Sequence, residues 1–139
     1  MGKQSYAGVG GILLLADCGG SNGYHVTLYR EQLSLLASRI GVPIRVAHLP
    51  PYCSKYNPID HRLFCHLSRA LQGRLCESMG WMQLLFSEVT TQTGLSVVAE
   101  LARKVYQSGH KASEAFRQTE TTIRDKLLGQ YNYVLPVAK

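Results

Sequence analysis

The sequence predicts an α/β fold built around a parallel strand–helix–strand unit, and three observations carry that expectation. Residues 11–16, GILLLA, are a continuous apolar run too short for a helix and bounded by glycine, as in a strand buried on both faces of a parallel sheet. Residues 24–41, YHVTLYREQLSLLASRIG, carry Leu28, Leu33, Leu36, Ala37 and Ile40 at helical spacing and stop at Gly41. Residues 42–49, VPIRVAHL, are a second short run rich in β-branched side chains. Strand, helix and strand in this order form a βαβ unit whose crossover is expected to be right-handed.

The chain then brakes. His48–Phe64, HLPPYCSKYNPIDHRLF, leaves the second strand through two prolines and a polar turn. It re-enters order where Asn57 can cap a helix whose first residue is Pro58, a position where the missing N–H costs nothing. Ile59, Leu63, Leu67, Ala70 and Leu71 form the apolar stripe of that helix, with His61, Arg62, His66 and Arg69 opposite and an end expected near Gly73. Beyond it, WMQLLFSEV reads as a short helix and GLSVVAEL as either strand or helix. SEAFRQTETTIRDKLL reads as a helix capped by Ser113, and YNYVLPVAK as irregular or extended. Repeats and low-complexity tracts are absent from the sequence.

Bulk composition narrows the class. The 139 residues suffice for one domain with a real core, and 45% hydrophobic with 17% charged residues is the balance of a folded protein. A net charge of +6 favours a polyanionic partner such as nucleic acid. The four cysteines fall in no C-x-x-C pair, so reduced thiols are expected; His61 and Cys65 sit four apart but two ligands do not make a zinc site. GVGGILLLADC superficially resembles an export signal, but Asp17 stands where a small residue is needed and the run is short and glycine-broken. A soluble protein without membrane association, in the cytosol, is expected.

Two acids stand out. Asp60, at the third helical position, can be one half of a capping box reaching back to the N–H of Asn57, and it suits the positive end of the helix dipole. Asp17 can simply begin a glycine-rich turn. Taken together they have a second reading. Ligands of open α/β sheets gather at the carboxyl ends of parallel strands, where Asp17 closes the first strand and Asp60 follows the second. Two hard carboxylates at that edge of a basic protein suit a divalent cation for phosphoryl transfer.

LLLADCGGSNG and IRVAHLPPYCSKYNPIDHRLF closely resemble the Rhodopirellula-type DDE transposases, relatives of the mariner-like insertion-sequence enzymes. TTQTGLSV, KVYQSGHKASEAF and YNYVLP continue the likeness more loosely, so that nearly the whole chain is covered. The resemblance implies a partial ribonuclease H-like fold in residues 1–75, a mainly helical extension in residues 76–139, and an acidic triad binding Mg²⁺ or Mn²⁺. Asp17 then corresponds to the second acid and Asp60 to the third. The third is usually Glu, so the carboxylate here is one methylene short. The first belongs to an upstream strand, and the first ten residues contain neither Asp nor Glu. The expectation is a carboxy-terminal transposase fragment, inactive alone, with the edge of the GILLLA strand exposed. Implied partners are DNA (transposon ends and target) and a second copy or full-length transposase, in the bacterial cytosol and nucleoid. The alternative is a non-catalytic relic or a DNA- or transposase-binding module.

Neighbouring residues carry paired readings. Lys55, Arg62 and Arg69 either touch DNA phosphates or are solvated charge. Asn22 closes the glycine turn or reaches a phosphate. His61 supports the metal site from behind or lies exposed, and Tyr52 and Tyr56 stack on bases or pack locally. Ser54 lacks the base–acid partners of a nucleophile, and DCGGSNG lacks both the lysine of a P-loop and the G-x-G-x-x-G of a dinucleotide site.

Overall fold

A computed structural model describes residues 6–138. Along the chain lie β1 (Ile12–Ala16), α1 (Thr27–Ile40), β2 (Ile44–His48), a π-helical turn (Asp60–Phe64) running into α2 (Cys65–Leu71), α3 (Met79–Ser87), α4 (Glu114–Thr119), β3 (Ile123–Arg124) and β4 (Asn132–Leu135). They form two compact units, one of the residues up to Tyr56 and from Ser108 onward, the other of Asn57–Gln107.

The first unit is a mixed α/β layer pair. Its sheet has the order β1-β2-β4-β3. β1 and β2 are parallel, with Leu14 beside Val46 and Ala16 beside His48. β4 runs antiparallel to β2 and sets Tyr133 beside Val46. Alternation then decides the core: Ile44, Val46 and His48 point to one face with Tyr133 and Leu135. α1 covers this face, burying Ala37 fully and packing Tyr29, Leu33 and Ile40 beside Leu14. Each large side chain buried here stabilises the fold by roughly 1.5–3 kcal/mol. α1 stops as expected at Gly41, whose φ of +71° suits glycine and whose N–H bonds the Ala37 carbonyl at 2.9 Å.

On the other face of the sheet, the β1 side chains are exposed. Leu13 and Leu15 are 62% and 55% exposed, so the expected burial of this strand on both faces is corrected to one face. β1 is an edge: among the described residues it pairs with β2 alone.

The C-terminal third departs further from local reading. Ser113 does cap α4, its Oγ accepting from the Phe116 N–H at 3.1 Å. The helix expected to run on through Leu128 instead ends at Thr119. Glu120 is drawn to Arg30, and Ile123–Arg124 pairs with β4 before Asp125 closes a turn by accepting the Leu127 N–H. The tail expected to be irregular or extended is extended: it forms β4, an inner strand carrying two of the most buried residues.

The second unit holds the helix that starts at Pro58. Asn57 opens it, its Oδ1 accepting from the Ile59 N–H at 3.4 Å. α2 ends at Leu71, and Gly73 follows with φ +72°. Ser78 caps α3 at Trp81 N–H, and Leu85 and Val89 are buried. GLSVVAEL is neither strand nor helix: Thr90 and Ser96 form an isolated bridge, and residues 97–112 have no regular structure. Among the described residues no helix is long and apolar enough to cross a membrane.

Candidate functional site

The first half of the site is built by the end of β1. Leu49 N–H bonds the Ala16 carbonyl at 2.8 Å, and this is the last rung of the parallel ladder. Asp17 is the next residue, at the carboxyl end of the strand. Its Oδ1 accepts a hydrogen bond from Asn22 Nδ2 at 2.9 Å, across the single turn formed by Gly20–Asn22. Gly20 sits at φ +60°, where a side chain would be strained. A Cβ at Gly19 would stand 3.3 Å from Asp17 Oδ2, so glycine leaves that oxygen room. Oδ2 has no hydrogen bond among the described residues. Asn22 therefore takes the turn-closing role, and it does so through the acid itself.

Cys18, the next side chain, donates its S–H to the Leu49 carbonyl at 2.9 Å. Burial pushes its thiol pKa up; the backbone of Tyr24 opposes this, and the charge of Asp17 adds to it. Cys18 is thus held as a neutral thiol beside Asp17, not as a soft thiolate ligand. The Asp17 carbonyl is bonded by the imidazole of His48, at 3.1 Å to Nδ1, and Nε2 of the same ring meets the Tyr133 hydroxyl at 3.1 Å.

The proline turn after β2 belongs to the same unit. Tyr52 occupies the left-handed region at φ +66°, with its side chain fully exposed. Tyr56 is also exposed, with Lys55 Nζ 4.9 Å from its ring centroid.

Asp60 lies in the second unit, at the start of the π-helical turn. Its N–H bonds the Asn57 carbonyl at 3.2 Å, but its carboxylate makes no hydrogen bond among the described residues. The capping-box bond expected for it is therefore not made, and the carboxylate is left to other partners. Arg62 and Arg69 are exposed on the same helix, and Cys65 donates its S–H to the His61 carbonyl at 2.9 Å. His66, Arg69 and Arg74 line an open cleft of about 540 Å³ with Thr91, Thr93 and the single acid Glu88.

The structure thus joins Asp17 to Asn22 and places Asp60, His61, Arg62 and Arg69 together on one helix. Among the described residues no group of three or more His, Cys, Asp or Glu side chains converges as a metal site. Asp17 Oδ2 in the first unit and the Asp60 carboxylate in the second, each without a hydrogen bond among the described residues, are hard oxygens of the kind that Mg²⁺ or Mn²⁺ takes. Sequence reasoning missed His48, Tyr133 and Arg74. The first two look like strand residues in a local window, and Arg74 lies past the helix stripe that was read.

The family model described as Rhodopirellula transposase DDE domain matches residues 1–136. No curated protein and no solved structure matches the chain.

Proposed function

We propose, since this chain belongs to the Rhodopirellula transposase DDE domain family, that it carries part of a ribonuclease H-like catalytic core in residues 1–75, with an extension in residues 76–139. Its chemistry would be metal-dependent cleavage and transfer of DNA strands at transposon ends and target. Asp17 and Asp60 would hold Mg²⁺ or Mn²⁺. Such a cation, when bound, polarises a phosphodiester and lowers the pKa of attacking water or a DNA 3′-hydroxyl. The chain's own residues do the rest. Asn22 holds one Asp17 oxygen and directs the other outward, and Gly19 keeps that oxygen uncrowded. Arg62, Arg69 and Lys55 neutralise backbone phosphates, with His61 beside the acid-bearing turn. The observation that most supports this reading is the Asp17 carboxylate, fixed at a strand's carboxyl end with one oxygen still available.

The net charge of +6, with Arg62 and Arg69 exposed and needing no metal to meet phosphates, favours a second reading, a non-catalytic DNA- or transposase-binding module. Mn²⁺ titration with a DNA-nicking assay, on the chain and on Asp17→Asn and Asp60→Asn, separates them. Metal binding and nicking lost in both variants support the catalytic reading. DNA binding that ignores metal and both substitutions supports the module.

Both readings share a salt-dependent DNA contact. Replacing Arg69 and Arg74 together with Ala should weaken binding evenly across DNA sequences. It should also reduce the slope of log K against log salt by about 2, one per lost phosphate contact. Fluorescence anisotropy over a salt series measures this. An unchanged slope would mean that the cleft in the second unit does not face DNA.

A further inference from the structure

Asp17 lies one residue beyond the last rung of the β1–β2 ladder, so its carbonyl has no strand partner there. The bond is made instead by a side chain: His48, the last residue of β2, turns Nδ1 onto that carbonyl at 3.1 Å. His48 is 6% exposed, and its other nitrogen meets the hydroxyl of Tyr133, 1% exposed, also at 3.1 Å. The chemistry of these groups fixes the direction of both bonds. A carbonyl only accepts, so Nδ1 carries the proton; in the neutral ring Nε2 is then an acceptor, and the Tyr133 hydroxyl must donate. Burial pushes the Tyr133 pKa up to about 12, which keeps that hydroxyl protonated. The side chains of Tyr133 and His48 reach the same face of the sheet because Tyr133 stands beside Val46, two residues before His48. Three strands are thereby strung together in the order β4, β2, β1, ending on the peptide of Asp17.

We propose that His48, locked as the Nδ1–H tautomer by Tyr133, is a positioning residue for the Asp17 carboxylate. This rests on the reading of Asp17 as a metal ligand. The Asp17 residue is gripped at two points, its carbonyl by His48 and its Oδ1 by Asn22, and those two bonds set the direction of Oδ2. Without the first, the Asp17 peptide can rotate and Oδ2 no longer keeps the one direction in which it would meet a cation. Partners that hold a ligand from behind typically change metal affinity by about 10–100-fold.

The test uses the full chain, ¹⁵N-labelled, with two readouts. Long-range ¹H–¹⁵N spectra of the His48 ring should show Nδ1 protonated and Nε2 bare; the opposite tautomer overturns the proposal without any variant. Mn²⁺ titration by electron paramagnetic resonance should show affinity about tenfold weaker in His48→Leu. His48→Asn, whose amide N–H can replace Nδ1–H but cannot reach Tyr133, should bind Mn²⁺ within about twofold of the parent although its melting temperature falls. A folded His48→Leu with parental affinity, or His48→Asn as weak as His48→Leu, also overturns it. Asp17→Asn is the control: if it binds Mn²⁺ like the parent, the metal reading fails, while the tautomer still reports on the bond.

Discussion

Asp17→Asn should lower Mn²⁺-dependent DNA nicking about a thousandfold and remove most Mn²⁺ binding, with little change in stability. Asparagine keeps the size of the side chain and one acceptor oxygen, but it removes the negative charge. A cation loses an anionic ligand, and Lewis-acid stabilisation of a phosphoryl transition state is worth several kcal/mol, or about three factors of ten. Stability is spared because Asp17 is exposed and its one side-chain bond is to half-buried Asn22; surface changes of this kind stay within about 0.5 kcal/mol. Asp60→Asn should act alike if the two acids serve one reaction. Asp60→Glu restores the length usual in the family and should raise nicking, since a misplacement of about 1 Å can cost roughly a hundredfold. Nicking on a supercoiled plasmid gives the rate, and the Mn²⁺ titration reports on the site even where turnover is slow. Parental rate and affinity in Asp17→Asn would leave the catalytic reading without its central residue.

Arg30→Met should destabilise the protein by about 3–5 kcal/mol, a large share of the stability of any small domain. Arg30 is 7% exposed although it sits on α1. Its Nε donates to Glu120 Oε1 at 2.7 Å and its Nη1 to the Tyr24 carbonyl at 3.0 Å. Glu120 accepts from Thr122 as well, at 2.7 Å, and lies 3.7 Å from Arg124. Removing the arginine leaves a half-buried carboxylate with its strongest partner gone. Replacing Arg30 and Glu120 together by Met and Leu should recover much of the loss, because no buried charge then lacks its partner. The same pair sets an acid limit. Burial acts to raise the Glu120 pKa, but it is outweighed by the hydrogen bonds from Arg30 and Thr122 and by the charges of Arg30 and Arg124, so the pKa is lowered from 4.5. A lowered carboxylate pKa contributes stability that is present above the unfolded value and lost as pH falls through the folded one. Melting temperature should therefore drop below about pH 4.5, and Glu120→Gln should lack that component of the drop. Denaturant unfolding at neutral pH and a melting series down to pH 3 measure both effects.

Short-range pattern was enough for β1, α1 and β2, for the caps at Asn57 and Ser113, and for the stops at Gly41 and Gly73. Each of these is decided within one turn or one pleat of the chain, by side-chain spacing, a capping oxygen or a left-handed glycine. The family was legible for a related reason: LLLADCGGSNG and HLPPYCSKYNPIDHRLF are contiguous blocks of unusual residues around a turn. Other features were decided by partners far away in sequence. NYVL is a central strand only because β2 offers it a ladder and a buried face. TETTIRDKLL gives up its helix because Arg30, 90 residues from Glu120, holds that carboxylate. Leu13 and Leu15 look like core in a local window, but only the order of strands shows that no described element covers them. His48 passed as an ordinary strand residue until the sheet set it between Tyr133 and the Asp17 carbonyl. Helix spacing, caps and turns cost or gain energy within a few residues and can be read along the chain. Burial and cross-strand bonding depend on which segments meet, and only the folded chain settles that.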